Sequence, residues 1–200
     1  MADSVHTSAT LLACIRDPGN HDAWERFAAF YEPLIRRYAR LHGCHAAMVR
    51  DVAQETLVDL IRIMPTFQYD PSRGRFRSFL YQIVRRRVQI AKRRQHRYVP
   101  VDPHDLAVHL PPGESDDQFW EREWQRQVLS QAMAQLRLRV TPRSFEAFEA
   151  SAVHGEETAS ICARLGIEPN ALHQIRSRLF GALREIARGI EAEFEEAHER

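Results

Sequence analysis

Apolar residues recur along the chain at the three- and four-residue intervals of α-helices, and no convincing alternating strand interrupts them. The first stripe covers residues 24–41 and contains Pro33, where we expect a kink or a split because proline removes a helical hydrogen bond. A second apolar stripe, which includes Ile61, covers residues 49–64, and a third covers residues 76–91. The pattern predicts an all-α fold.

The second half of the chain is separated from the first by a proline-rich segment. Residues 99–117 contain four prolines, which is typical of a linker between domains. A further helix is predicted from about residue 119 to residue 138. The pattern therefore predicts two small helical domains, residues 1–98 and residues 118–200, and the second of them ends in an acidic tail.

The second domain contains the signature of a helix-turn-helix. Thr141 is a good N-cap, and Pro142 suits the first position of the helix that follows it. Beyond that helix, a short helix is predicted to end at Leu165, with Gly166 in the turn. Pro169 then opens a longer helix, which completes the pattern.

The longer helix separates apolar from polar residues. Its apolar arc contains Leu172, Ile175, Leu179, Leu183 and Ile186. Its polar arc contains Asn170, His173, Gln174, Ser177 and Arg178. Side chains of these polar types bond to base edges, and a helix fits the major groove, so we expect this arc to read duplex DNA. The alternative is a plain three-helix bundle whose polar arc is only solvated.

Positive charge is concentrated near the middle of the chain. The whole sequence has a net charge of +1, yet residues 71–101 contain ten basic residues and no acidic one. The basic residues are Arg73, Arg75, Arg77, Arg85, Arg86, Arg87, Lys92, Arg93, Arg94 and Arg97. Ordinary surfaces mix the two signs, so a solvated helix face is the weaker interpretation. With Phe67 and Tyr69 beside them, these charges are typical of a groove that binds single-stranded DNA.

An acidic stripe occupies the helix before the basic one. Asp51, Glu55 and Asp59 follow one another at four-residue intervals and so share one helix face. The stripe is either a solvated face or a surface for a basic protein partner, because DNA would repel it.

Several functional classes find no support in the sequence. It has no P-loop, no glycine-rich dinucleotide loop and no convincing nucleophile or acid–base group, so we expect a protein that is not an enzyme and holds no cofactor. Three candidate metal ligands in residues 42–45 ("HGCH") are too crowded for the usual zinc spacing.

The features that report on location favour the cytoplasm. Three widely separated cysteines are typical of a reducing compartment, not of a disulfide framework. No apolar run approaches the roughly 18–20 residues that span a membrane, and the first twenty residues lack the features of a signal peptide. We therefore expect no insertion into a membrane.

Two segments of the chain resemble the extracytoplasmic-function (group IV) sigma factors of bacterial RNA polymerase. Residues 50–94, "RDVAQETLVDLIRIMPTFQYDPSRGRFRSFLYQIVRRRVQIAKRR", are similar to sigma region 2, with an Asp-x-x-Gln-Glu core at Asp51, Gln54 and Glu55. Residues 141–186, "TPRSFEAFEASAVHGEETASICARLGIEPNALHQIRSRLFGALREI", are similar to sigma region 4. Both segments occur in the order that the family has.

The resemblance implies a role for each group of residues. The first group docks on the clamp helices of the largest polymerase subunit and contains Asp51, Gln54, Glu55 and Asp59. The second recognises and melts the −10 element and contains Phe67, Tyr69, Arg73, Arg75, Arg77, Arg85, Arg86, Lys92 and Arg93. The third reads the −35 element and contains Asn170, His173, Gln174, Ser177 and Arg178. Region 4 would also contact the flap of the second-largest subunit, and an anti-sigma protein is a further candidate partner.

Two other functional classes are weighed against this interpretation. A free-standing helix-turn-helix regulator would bind duplex DNA without polymerase, but it leaves the acidic stripe without a role. A metal-dependent nuclease would need that stripe to turn towards the basic helix.

Overall fold

The structure is a computed structural model in which residues 11–68, 74–98 and 113–194 are described. Its eight α-helices in these residues are α1 (Leu11–Cys14), α2 (His21–Leu41), α3 (Ala46–Ile63), α4 (Phe76–Tyr98), α5 (Asp116–Arg139), α6 (Pro142–Ala152), α7 (Thr158–Leu165) and α8 (Pro169–Phe194). A short 3₁₀ helix, Met64–Thr66, follows α3. The described residues contain no strand, so the predicted all-α fold is confirmed.

The helices fall into two compact units, and two of them are divided between the units. The first unit contains the residues up to Gln125 and those from Ala192 onward, and the second contains Arg126–Glu191. The start of α5 and the last three residues of α8 therefore belong to the first unit. The predicted division at residues 99–117 stays a prediction, since most of that segment lies outside the described residues.

The core of the first unit is built on the apolar face of α2. Asn20 caps the helix, because its side-chain oxygen accepts a hydrogen bond from the Ala23 amide at 3.2 Å. Helix α2 continues through Pro33, so of the two expected outcomes the split does not occur. Phe30 is fully buried, and the ring of Phe194 stacks on it with centroids 3.9 Å apart.

Helix α3 packs between α2 and α4. Within the "HGCH" segment, His45 caps α3 by accepting a hydrogen bond from the Met48 amide at 3.4 Å. On the buried side, the Thr56 hydroxyl donates to the Val52 carbonyl at 2.7 Å. The pattern predicts that Ile61 lies on the apolar face, but it is 39% exposed, because at 100° per residue it lies at the edge of the stripe.

The second unit contains the predicted helix-turn-helix, and its sequence signals are confirmed. The Thr141 hydroxyl caps α6 by accepting from the Ser144 amide at 3.3 Å, with Pro142 at the first helical position. Gly166 ends α7 with φ = +60°, a left-handed conformation that favours glycine. Arg143 donates to the Leu165 carbonyl and, at 2.9 Å, to the Gly166 carbonyl, so it supports the turn.

Candidate nucleic-acid interface

The basic residues of α4 do not form one uniform surface. Arg85, Arg86 and Arg93 are exposed, and Lys92 is half-buried. Arg75, just before the helix, is exposed and lies 3.8 Å from a Glu121 carboxylate oxygen. Among the described residues of the predicted −10 group, these five are the basic ones that solvent reaches.

Arg77 departs from that group because the start of α5 covers it. Only 4% of the residue is exposed. Its guanidinium donates to both carboxylate oxygens of Glu121, at 2.6 and 2.7 Å, and lies 4.1 Å from the centre of the Trp124 ring. The indole N–H of Trp120 donates to the Arg77 carbonyl at 3.0 Å. Arg77 thus joins α4 to α5 and does not present its charge to DNA in this structure.

Phe67 is also partly committed to packing. Its ring stacks on Phe79 with centroids 4.7 Å apart and meets Phe76 edge to face at 5.9 Å. Arg16 donates a hydrogen bond to the Phe67 carbonyl. The ring remains half-buried, so one side can still meet a base. Tyr69 and Arg73, the remaining members of the predicted −10 group, lie outside the described residues.

The acidic stripe of α3 contains one exposed carboxylate and two that are paired with an arginine of α4. Asp51 and Gln54 are exposed. Arg87 donates one hydrogen bond to Glu55 at 2.9 Å and two to the Asp59 carboxylate, one of them at 2.5 Å. The hydrogen bonds to Asp59, with the charges of both carboxylates, raise the pKa of the Arg87 guanidinium above its ordinary value although burial lowers it. Two of the three acidic residues of the stripe, Glu55 and Asp59, are therefore neutralised within the protein itself.

The exposed side of α3 also carries apolar residues. Val58 is 43% exposed, and Ile61 is 39% exposed. At 100° per residue, Val58 lies between Gln54 and Arg62 on the same helix face as Asp51. A surface with a polar end and an apolar centre suits a protein partner.

The helix-turn-helix presents its polar arc as expected from the periodicity. On α8, every member of the predicted arc is exposed, namely Asn170, His173, Gln174, Ser177 and Arg178. Leu172 and Leu179 are buried on the opposite side of the helix. The side chains of the arc are therefore accessible to solvent in the second unit, as contact with DNA would require.

Comparison with known proteins finds a family match within the first unit. The family model for sigma-70 region 2 matches residues 28–98, which cover most of α2 and all of α3 and α4. Residues 28–98 are therefore similar to sigma-70 region 2. The predicted sigma-factor resemblance is confirmed at this level. No curated protein matches the chain.

A search of solved structures also finds matching chains. The structure entitled "Structure of CnrH in complex with the cytosolic domain of CnrY" aligns over 90% of this chain and 96% of that one. The sequences are 20% identical, and the TM-score is 0.36. A likeness at this level establishes no shared activity or partner. Within the described residues, no helix is both long and apolar enough to cross a membrane.

Sequence reasoning missed the residues that cover and pair the charges of region 2. Because they follow a proline-rich segment, the pattern predicts that Glu121, Trp120 and Trp124 belong to the second domain. Arg87 was counted among the basic residues without being separated from its neighbours. No local signal separates Arg87 from Arg85, which also adjoins a buried valine in the sequence and yet is exposed.

Proposed function

We propose that this chain is a sigma factor of the extracytoplasmic-function type, which directs core RNA polymerase to specific promoters and assists their opening. The observation that carries the proposal is the sigma-70 region 2 at residues 28–98. A helix-turn-helix with an exposed polar arc lies further along the same chain, in the order in which such factors have regions 2 and 4.

Region 2 supplies the proposed melting surface. The exposed charges of Arg75, Arg85, Arg86 and Arg93, with Lys92, would neutralise the phosphates of a separated strand. The half-buried ring of Phe67 offers one side for stacking, and Tyr69 and Arg73 stay in the proposal from the sequence alone. Melting consumes stacking and pairing energy, which these contacts would offset, and no bond is made or broken by the protein.

Helix α3 supplies the proposed surface for the clamp helices of the largest polymerase subunit. Asp51 and Gln54 are exposed beside Val58 and Ile61, while Glu55 and Asp59 are shared with arginines of α4. We therefore place the docking surface on Asp51, Gln54 and the apolar pair, with Glu55 at its edge. Contact of the second unit with the flap of the second-largest subunit, and control by an anti-sigma protein, remain predictions from the resemblance.

The exposed arc of α8 supplies the proposed reader of the −35 element. Gln174 and Arg178 are one turn apart and can reach neighbouring base edges in one major groove. Asn170, His173 and Ser177 flank them on the same arc.

The test is reconstitution with core polymerase. Core enzyme, the purified chain and a pool of promoter fragments should give transcripts from a subset of fragments, with unpaired −10 thymines that react with permanganate. Asp51→Arg with Gln54→Arg should abolish co-purification with core, because like charges at an interface cost several kcal/mol. Gln82→Arg, at an exposed position of α4 away from that surface, is the matched control. Specific duplex binding that needs no polymerase, with no transcription, would instead support the free-standing regulator.

A further inference from the structure

A charge network joins α3 to α4, and the proposed function does not use it. Oε2 of Glu55 accepts from Arg87 at 2.9 Å, and Oε1 of the same carboxylate accepts from Arg94 at 3.1 Å. Asp59 accepts two further hydrogen bonds from Arg87. Glu55 therefore holds two arginines of the basic helix, one with each oxygen.

Arg87 and Arg94 differ in whether another carboxylate would remain bonded to them if Glu55 were removed. The Arg87 side chain is 21% exposed, and Asp59 grips it with two hydrogen bonds, so it keeps a partner. The Arg94 side chain is 63% exposed, and Glu55 is the carboxylate bonded to it among the described residues. Loss of Glu55 would free Arg94 and leave Arg87 in place.

Glu55 also borders the proposed docking surface for polymerase. It follows Gln54 directly and lies one turn from Asp51, and its side chain is 36% exposed. A cationic group that approaches Asp51 and Gln54 from a partner can therefore reach Glu55. On the other side, Arg94 is adjacent in sequence to Arg93, which is exposed and belongs to the proposed DNA surface.

We propose that Arg94 is a further phosphate-binding residue, that Glu55 masks it in the free protein, and that a cationic partner surface docked on α3 unmasks it by taking Glu55. A phosphate and the Glu55 carboxylate compete for the same guanidinium, and the carboxylate repels the phosphate as well. The identity of the docked partner rests on the proposed function, but the masking is a property of the free chain.

The arrangement couples two binding events. If docking frees Arg94 for DNA, then DNA bound to Arg94 must free Glu55 for the partner to the same extent, because coupling between binding sites is reciprocal. The free chain would then bind DNA less tightly than its exposed arginines suggest, and promoter binding would be favoured in the holoenzyme.

The masking is tested without polymerase. The full chain is titrated with a fluorescent single-stranded oligonucleotide of mixed sequence over a series of salt concentrations. Glu55→Gln should gain about one phosphate contact, which steepens the log–log salt slope by about 0.7 and raises affinity about fivefold at 0.1 M salt. Glu25→Gln makes the same chemical change at an exposed position of α2 where no arginine is bonded among the described residues. It should leave the slope unchanged.

Variants of Arg94 separate unmasking from a general gain of charge. Arg94→Gln alone should bind like wild type, and Glu55→Gln with Arg94→Gln should lose the gain. Glu55→Gln with Arg40→Gln has the same net charge as that double variant and should keep the steeper slope.

Equal gains for Glu55→Gln and Glu25→Gln, or a gain that survives Arg94→Gln, would overturn the proposal. Circular dichroism confirms that each variant is folded, and if Glu55→Gln does not fold, Glu55→Ala is used with Glu25→Ala as its control and with the same criteria. Promoter opening by wild type with polymerase is measured separately. If that assay fails, the DNA-binding measurements on the free chain still test whether Glu55 masks Arg94.

Discussion

Helices α4 and α8 both carry polar residues that are proposed to bind DNA, and they differ in how those residues are held. On α8, the five members of the polar arc are all exposed. On α4, Arg77 is buried under α5, and Arg87 and Arg94 are bonded to α3. Arg85, Arg86 and Arg93 are exposed.

The difference follows from what packs beside each helix. On α4, α3 lies along one side and the start of α5 along another, so positive charges at the borders of the apolar stripe meet carboxylates. On α8, the polar arc lies opposite the buried Leu172 and Leu179. Periodicity therefore predicts which polar side chains are exposed when they share one helix face, as on α8. It does not predict this when charged residues border a narrow apolar stripe, as on α4.

The largest effect is expected from Arg77, which sharpens the contrast within α4. Arg77→Ala removes the two hydrogen bonds to Glu121 and the contact with Trp124. Loss of a buried ion-pair partner costs about 3–5 kcal/mol, and because the Glu121 side chain is 38% exposed, we expect about 3 kcal/mol of lost unfolding free energy. Urea denaturation followed by circular dichroism measures the loss.

The matched control for that variant is Arg85→Ala on the same helix. Arg85 is exposed, so its loss should change stability by less than about 0.5 kcal/mol. The same change should flatten the log–log salt slope of single-stranded DNA binding by about 0.7, whereas folded Arg77→Ala should not. Equal stability losses for the two variants would remove the distinction between them.

The next largest effect concerns the polar arc of α8. Gln174→Ala and Arg178→Ala should each lose discrimination worth about 1–3 kcal/mol at the base that the residue reads, with stability unchanged. Competition among −35 variants, with holoenzyme and wild-type promoter as reference, measures the preference. A uniform loss of affinity across all −35 sequences would show that these residues contact phosphates and not base edges.

Much of the fold could be predicted from the sequence because its signals are local. The cap at Thr141, the turn at Gly166 and the stripe on α8 depend on neighbours within one or two helical turns. The pairing of Arg87 with Asp59 and the cover over Arg77 depend on residues 28 and 44 positions away. Long-range partners of this kind have no periodic signature, and so the availability of individual charges could not be predicted.

A smaller effect is expected at the turn that positions the polar arc. Gly166 has φ = +60°, so Gly166→Ala places a Cβ in the left-handed region and should cost about 1–2 kcal/mol. Its Cβ would meet Arg143 at 3.5 Å, an ordinary contact, so the strain comes from the backbone. Gly189→Ala, inside α8 with open space around it, should instead stabilise by about 0.5–1 kcal/mol. Thermal unfolding should therefore shift in opposite directions, and a shared direction would contradict the backbone argument.

The smallest effect is expected from a buried histidine of the first unit. His42 lies against the Tyr38 ring, and its Nε2 is 3.5 Å from a carboxylate oxygen of Asp116. Burial lowers the pKa of His42, the Asp116 carboxylate raises it, and the charges of Lys92 and Arg85 lower it; the net direction is down from the ordinary value of 6.5. The unfolded chain therefore takes up a proton at a higher pH than the folded chain.

The sign of the pH effect follows from that difference in proton uptake. Above about pH 6.5 both states are neutral at His42, and its burial carries no protonation penalty. As the pH falls below about 6.5, the unfolded state is protonated first and is favoured, so the free energy of unfolding decreases until the folded-state pKa is reached. His42→Gln should remove this component, so that wild type loses more stability than the variant between pH 7.5 and pH 5.5 in urea titrations. Asp116→Asn removes the group that raises the pKa of His42 and should make the loss larger. The argument is wrong if the difference between wild type and His42→Gln is the same at both pH values.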